Sequence, residues 1–119
     1  MSYPISNLVS KIDFEVMNAL QSWPTLLKTI SMLLEKASSF MEEIGLRLGE
    51  HFQFEISRWI DYEVDDWSYM QIKVTLLETG MKLMDERGID KFMILETLTS
   101  MATQILPQKV RREIVIMVE

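Results

Sequence analysis

FQFEISRWIDYEV, residues 52–64, can be read with two periods. Taken two at a time, Phe52, Phe54 and Ile56 alternate with Gln53 and Glu55, and Ile60, Tyr62 and Val64 alternate with Asp61 and Glu63. That pattern describes two short strands meeting near Ser57-Arg58-Trp59. Taken at 3.6, Phe52, Ile56, Trp59, Ile60 and Val64 continue a helix. No Gly, Asn or Pro marks the turn that a hairpin needs there. The second period is therefore preferred, with a helix over the first half and an irregular acidic connection over the second.

Upstream, the longest apolar stripe supports a helical reading. Trp23, Leu26/Leu27, Ile30, Leu33/Leu34, Ala37, Phe40/Met41, Ile44 and Leu48 recur at steps of three and four. Pro24 suits the first turn of a helix, where its missing N–H costs nothing. Ser39 followed by Glu42 has the spacing of a capping box, which favours two helices broken at Ser38-Ser39 over one unbroken element. Gly45 and Gly49, four apart, would share one helical face. Before this stretch, Leu8, Val9, Ile12, Val16, Ala19 and Leu20 suit a helix from Asn7 to near Gln21, preceded by a loose lead-in over residues 1–6.

Downstream, Met70, Val74, Leu77, Met81 and Met84 form one stripe, closed by Gly88 as a C-cap. Asp90 can cap a further helix running through Phe92/Met93, Leu95, Leu98, Met101/Ala102 and Ile105 to Pro107. The apolar run Ile114-Val115-Ile116-Met117-Val118 fits a buried helix or a strand equally well. Thr25–Thr29 resembles Thr75–Thr79 and Phe40-Met41 resembles Phe92-Met93, an echo that chance in a Leu/Met/Thr-rich chain explains better than duplication. The expectation is all-α: one domain over residues 1–119, a compact bundle of five or six helices. The alternative is α+β with a short hairpin near residues 52–64.

Composition narrows function by exclusion. With 119 residues, 48% hydrophobic and 25% charged, the chain has the balance of one folded domain. A net charge of −6 repels phosphate backbones, so nucleic acid is not an expected partner. The basic cluster Lys109, Arg111 and Arg112 is short and followed at once by Glu113. No apolar run approaches the length of a membrane span, and no basic-then-apolar leader begins the sequence. The absence of cysteine removes disulfides, thiolate metal sites and a Cys nucleophile, and fits a cytoplasmic setting.

Each catalytic template fails on particular residues. His51 is the one histidine; Glu50 and Glu55 could join it on a metal if 51–55 were helical, but di-iron bundles and zinc catalysis need more nitrogen or sulfur ligands. Counting Asp61 as the first position of a calcium loop puts Asp66 where Gly belongs and Ile72 where the bidentate Glu belongs. Gly45, Gly49, Gly80 and Gly88 are too dispersed to cradle a phosphate, and no nucleophile elbow occurs. Hence no catalytic residue, metal or cofactor is assigned.

What remains is aromatic and sulfur-rich. Trp59, Tyr62, Trp67 and Tyr69 crowd together among acidic residues, and ten methionines are spread along the chain. Trp and Tyr serve as interface anchors and Met adapts its shape to a partner. The expected function is a non-enzymatic interaction module (adaptor, accessory subunit or small dedicated chaperone) presenting an apolar helical surface. Trp59, Tyr62, Trp67, Tyr69 and Met81 would form the contact, and the partner would be another protein or a second copy. A metal-binding enzyme or sensor based on His51 is the alternative. A third possibility, an α+β dimer of the secretion-chaperone kind, requires both 52–64 and the tail to be strands.

Overall fold

The computed structural model describes residues 8–61, 67–107 and 114–119, with the backbone alone at 59–61 and 67–69. Among these it is α+β, which overturns the all-α expectation. The order is β1 (Val9–Ile12), α1 (Phe14–Gln21), α2 (Pro24–Glu43), β2 (Phe52–Asp61), β3 (Trp67–Leu76), α3 (Glu78–Arg87), α4 (Lys91–Ile105) and β4 (Ile114–Val118). The strands form one mixed sheet in the order β1-β2-β3-β4.

The helical reading of residues 52–64 fails because its period-two alternation continues into the next segment. β2 and β3 pair antiparallel over ten residues each, from Phe52↔Leu76 to Asp61↔Trp67. Phe52, Phe54 and Ile56 face the core beside Ile72, Val74 and Leu76, and all six are buried. The strands therefore continue through Ser57-Arg58-Trp59, where the sequence reading sought the turn; residues 62–66, between them, lie outside the described residues. The Met70–Met84 stripe divides accordingly. Met70 and Val74 belong to β3, whereas Met81 and Met84 belong to α3.

The first predicted helix is also shortened. Residues 9–12 pair with β2 in parallel, and α1 begins only at Phe14. By contrast, the long stripe forms one helix, α2, which runs unbroken through Ser38-Ser39. Its buried residues Leu26, Ile30, Leu33, Leu34, Ala37 and Met41 follow a single continuous stripe, so a break would divide a buried face. The helix ends in a Schellman motif. Gly45 (φ 92°) lets its own N–H reach the Glu42 carbonyl at 2.9 Å and the Leu46 N–H reach that of Met41 at 2.8 Å. Gly45 and Gly49 thus both lie in the loop after α2, at positive φ, not on a helical face. Gly88 and Asp90 end α3 and cap α4 as their sequence positions suggest; the Asp90 side chain accepts the Phe92 N–H at 3.0 Å. The Thr25–Thr29 echo has no structural counterpart, because Thr75–Thr79 crosses from β3 into α3.

The four helices among the described residues contribute to one core on one face of the sheet. β1 and β2 run parallel, β3 and β4 run parallel to each other, and the two pairs oppose. Both helical crossovers step in the same direction across the sheet and over the same face, but start from strands of opposite direction. They are therefore of opposite hand, and one is left-handed, against a strong general preference. The other sheet face carries Gln53, Glu55, Gln71, Lys73 and Thr75, all partly exposed.

Candidate interaction surface

The sequence places an apolar corner where β3 hands over to α3. The Leu77 backbone N–H bonds the His51 carbonyl at 2.9 Å, which pins the start of α3 to the loop before β2. Gly80 makes that approach possible, since a Cβ there would lie 2.0 Å from the His51 oxygen. Held this way, α3 buries Met84 and leaves Met81 47% exposed. The tight Gly88 turn (φ 67°) then reverses the chain into α4, whose inward face is Ile94, Leu98 and Ala102. Phe92 lies off that face and is 72% exposed.

Between α3 and α4 these residues form a shallow groove of about 310 Å³. Leu76, Met84 and Ile89 line it together with the exposed Met81 and Phe92, and Asp85, Asp90 and Lys91 are its charged residues. Such a groove can seat an apolar side chain and set acidic groups beside it. Among the described residues it holds no nucleophile–base pair.

The polar sheet face has a different organisation. The Thr75 hydroxyl donates to Glu55 at 2.9 Å, and Lys73 lies 3.4 Å from Glu55 and 3.6 Å from Glu119. The Thr75 bond, aided by Lys73 and opposed by partial burial, holds the Glu55 carboxyl below its usual range. Glu55 and Glu119 in turn raise Lys73. Gln71 donates to the Met117 sulfur at 2.8 Å. A second, polar cleft is lined by Glu42, Gly45, Arg47, Leu48 and Arg87. There Arg87 Nη1 donates to the Ile44 carbonyl at 3.1 Å, so this guanidinium closes the end of α2.

His51 and Glu55 do not sit on consecutive helical turns, because residues 52–61 are extended. His51 Nδ1 accepts the Arg47 N–H at 2.9 Å, its Nε2 lies 4.0 Å from Glu50, and Glu55 is engaged with Thr75 and Lys73. Among the described residues no three His, Asp or Glu side chains gather as a metal site.

The five residues expected to bind a partner divide between two places. The register sets Trp59 opposite Tyr69 and Trp67 opposite Asp61, so Trp59, Trp67 and Tyr69 hold nearby register positions on adjacent strands. Tyr62 lies outside the described residues. Met81 belongs instead to the α3–α4 groove, beyond the other end of β3, which is roughly 23 Å long from Tyr69 to Leu76 at ~3.3 Å per residue. Phe92 was read as part of the α4 stripe and missed as a surface residue. Its offset from Ile94, Leu98 and Ala102 is the signal that could have found it. No family model matches this chain, and no curated protein or solved structure is detectably similar to it.

Proposed function

We propose that this chain is a non-enzymatic interaction module of the cytoplasm that docks a protein partner in the α3–α4 groove. The observation that carries the proposal is the pair Met81 and Phe92, a flexible and an aromatic side chain exposed across one concave apolar surface. Large exposed apolar groups beside a groove act as anchors, and an adaptable Met suits a partner's apolar side chain. Asp85 and Asp90 beside them, on a chain of net charge −6, favour an amphipathic partner segment with basic residues next to its anchor.

Affinity capture from host lysate tests this, with the intact chain beside a Met81→Asp, Phe92→Asp double variant and a Trp59→Ala, Trp67→Ala double variant. One stoichiometric partner, retained by the tryptophan variant and weakened by about tenfold or more in the groove variant, is the expected result. Equal capture by the intact chain and the groove variant would remove the groove from the account. The alternative, a metal sensor built on His51, would take its place if the purified protein carried stoichiometric metal that His51→Ala abolished.

A further inference from the structure

The two edges of the sheet are built differently. β1 is four residues long, carries the exposed Ser10 and Lys11, and has an irregular register between Val9 and Lys11. Short length, a lysine and a register break are the usual means of preventing an edge from recruiting another strand. β4, five residues long, has neither a lysine nor a register break. Ile114–Val118 is an unbroken run without charge, Gly or Pro, and it pairs with β3 in a continuous register from Met70↔Ile114 to Val74↔Val118. Among the described residues no strand lies outside it.

β4 is also apolar on both faces. Ile114, Ile116 and Val118 align with Met70, Ile72 and Val74 and face the core. Val115, 37% exposed, and Met117 belong to the other face, where β2 and β3 carry Gln53, Glu55, Gln71 and Lys73. Met117 there accepts a hydrogen bond from the Gln71 side chain, which leaves Val115 as the apolar group of this face that a continuing strand would flank.

We propose that the occupant of this edge is a second copy of the chain, paired β4 to β4 in antiparallel fashion about a two-fold axis at Ile116. The order Ile-Val-Ile-Met-Val is nearly symmetric in polarity and size about its centre. In that register Ile116 meets Ile116, Val115 meets Met117 and Ile114 meets Val118. Core-facing residues meet core-facing residues, so two sheets become one of eight strands without a residue changing face. No charged residue falls within the paired segment; of the glutamates that flank it in sequence, Glu113 and Glu119, Glu119 lies 3.6 Å from Lys73. None of Ile114–Val118 is among the described residues that line the α3–α4 groove.

Sedimentation velocity on the full chain from about 1 to 100 μM tests the proposal, and spans the range expected of a small β-edge interface. The expected mass is twice 14.0 kDa, falling to 14.0 kDa for Val115→Lys, which sets charge on the edge without entering the core. Circular dichroism and thermal unfolding check that this variant keeps its fold. The register is read by cross-linking, since the native chain has no cysteine. The Val115→Cys, Met117→Cys double variant forms an intermolecular disulfide on mild oxidation, faster than either single variant, because facing strand residues lie within disulfide reach. A monomer throughout the range overturns the proposal. So does a dimer that survives Val115→Lys but is lost with Met81→Asp and Phe92→Asp, which would place the contact in the groove.

Discussion

The two faces of the sheet make opposite contributions to this molecule. On the covered face Phe52, Phe54, Ile56, Ile72, Val74 and Leu76 are buried, and the rings of Phe52 and Phe54 meet edge-on with centroids 5.3 Å apart. On the open face, one residue along in the same strands, Glu55, Lys73 and Thr75 hold each other by partly exposed polar contacts. The difference teaches where stability resides. Burying a large side chain is worth a few kcal/mol, whereas a partly exposed ion pair contributes about 0–1 kcal/mol. The covered face holds the fold, and the open face adjusts it.

Substitution on the two faces should separate them by effect size. Phe54→Ala leaves a cavity beneath the helices and should cost about 3–5 kcal/mol in denaturant unfolding. A loss below about 1 kcal/mol would mean that the helices do not cover this face. Gly80→Ala comes next. Its Cβ would collide with the His51 backbone oxygen, so the junction of β3 and α3 must move, at about 1–3 kcal/mol by thermal unfolding. Thr75→Val acts on the open face and should cost about 0.5–1.5 kcal/mol near neutral pH.

The smallest effect has a characteristic pH dependence. Glu55 is held below its ordinary value of 4.5, so its contribution is present above that value and fades as pH falls through the depressed one. Lys73 is raised above 10.5, so its share is present below 10.5 and is lost as pH rises through the raised value. The difference in melting temperature between the intact chain and Thr75→Val should therefore be constant near neutrality and shrink in acid. A difference that grew on acidification would contradict the bond to Glu55 as its cause.

The same two faces explain what was legible in the sequence. α2 could be read because its stripe, from Leu26 to Met41, fits only the helical period. The caps at Gly88 and Asp90 could be read because each follows from local backbone chemistry. β2 could not, because Phe52, Ile56 and Ile60 satisfy a helix while Phe52, Phe54 and Ile56 satisfy a strand, and Ser57-Arg58-Trp59 carries no turn to decide between them. β3 was misread through Met70, Val74, Leu77 and Met81, a helical spacing that straddles a strand end and a helix start. Pairing across ten residues decides both, and pairing is not local. The candidate site follows the same pattern. Met81, expected as a contact from its residue type, is exposed at the groove, whereas Phe92 was read into the helical stripe although its spacing from Ile94, Leu98 and Ala102 sets it off the buried face.

Methyl NMR of the methionines tests the docking claim most directly. The ten Met methyls include Met81, exposed at the groove, and Met41, fully buried in the core on α2. On titration with the captured partner, the Met81 signal should shift or broaden while that of Met41 stays in place. A partner that binds with Met81 undisturbed would contradict the account, and the methyl that moved instead would mark the surface in use.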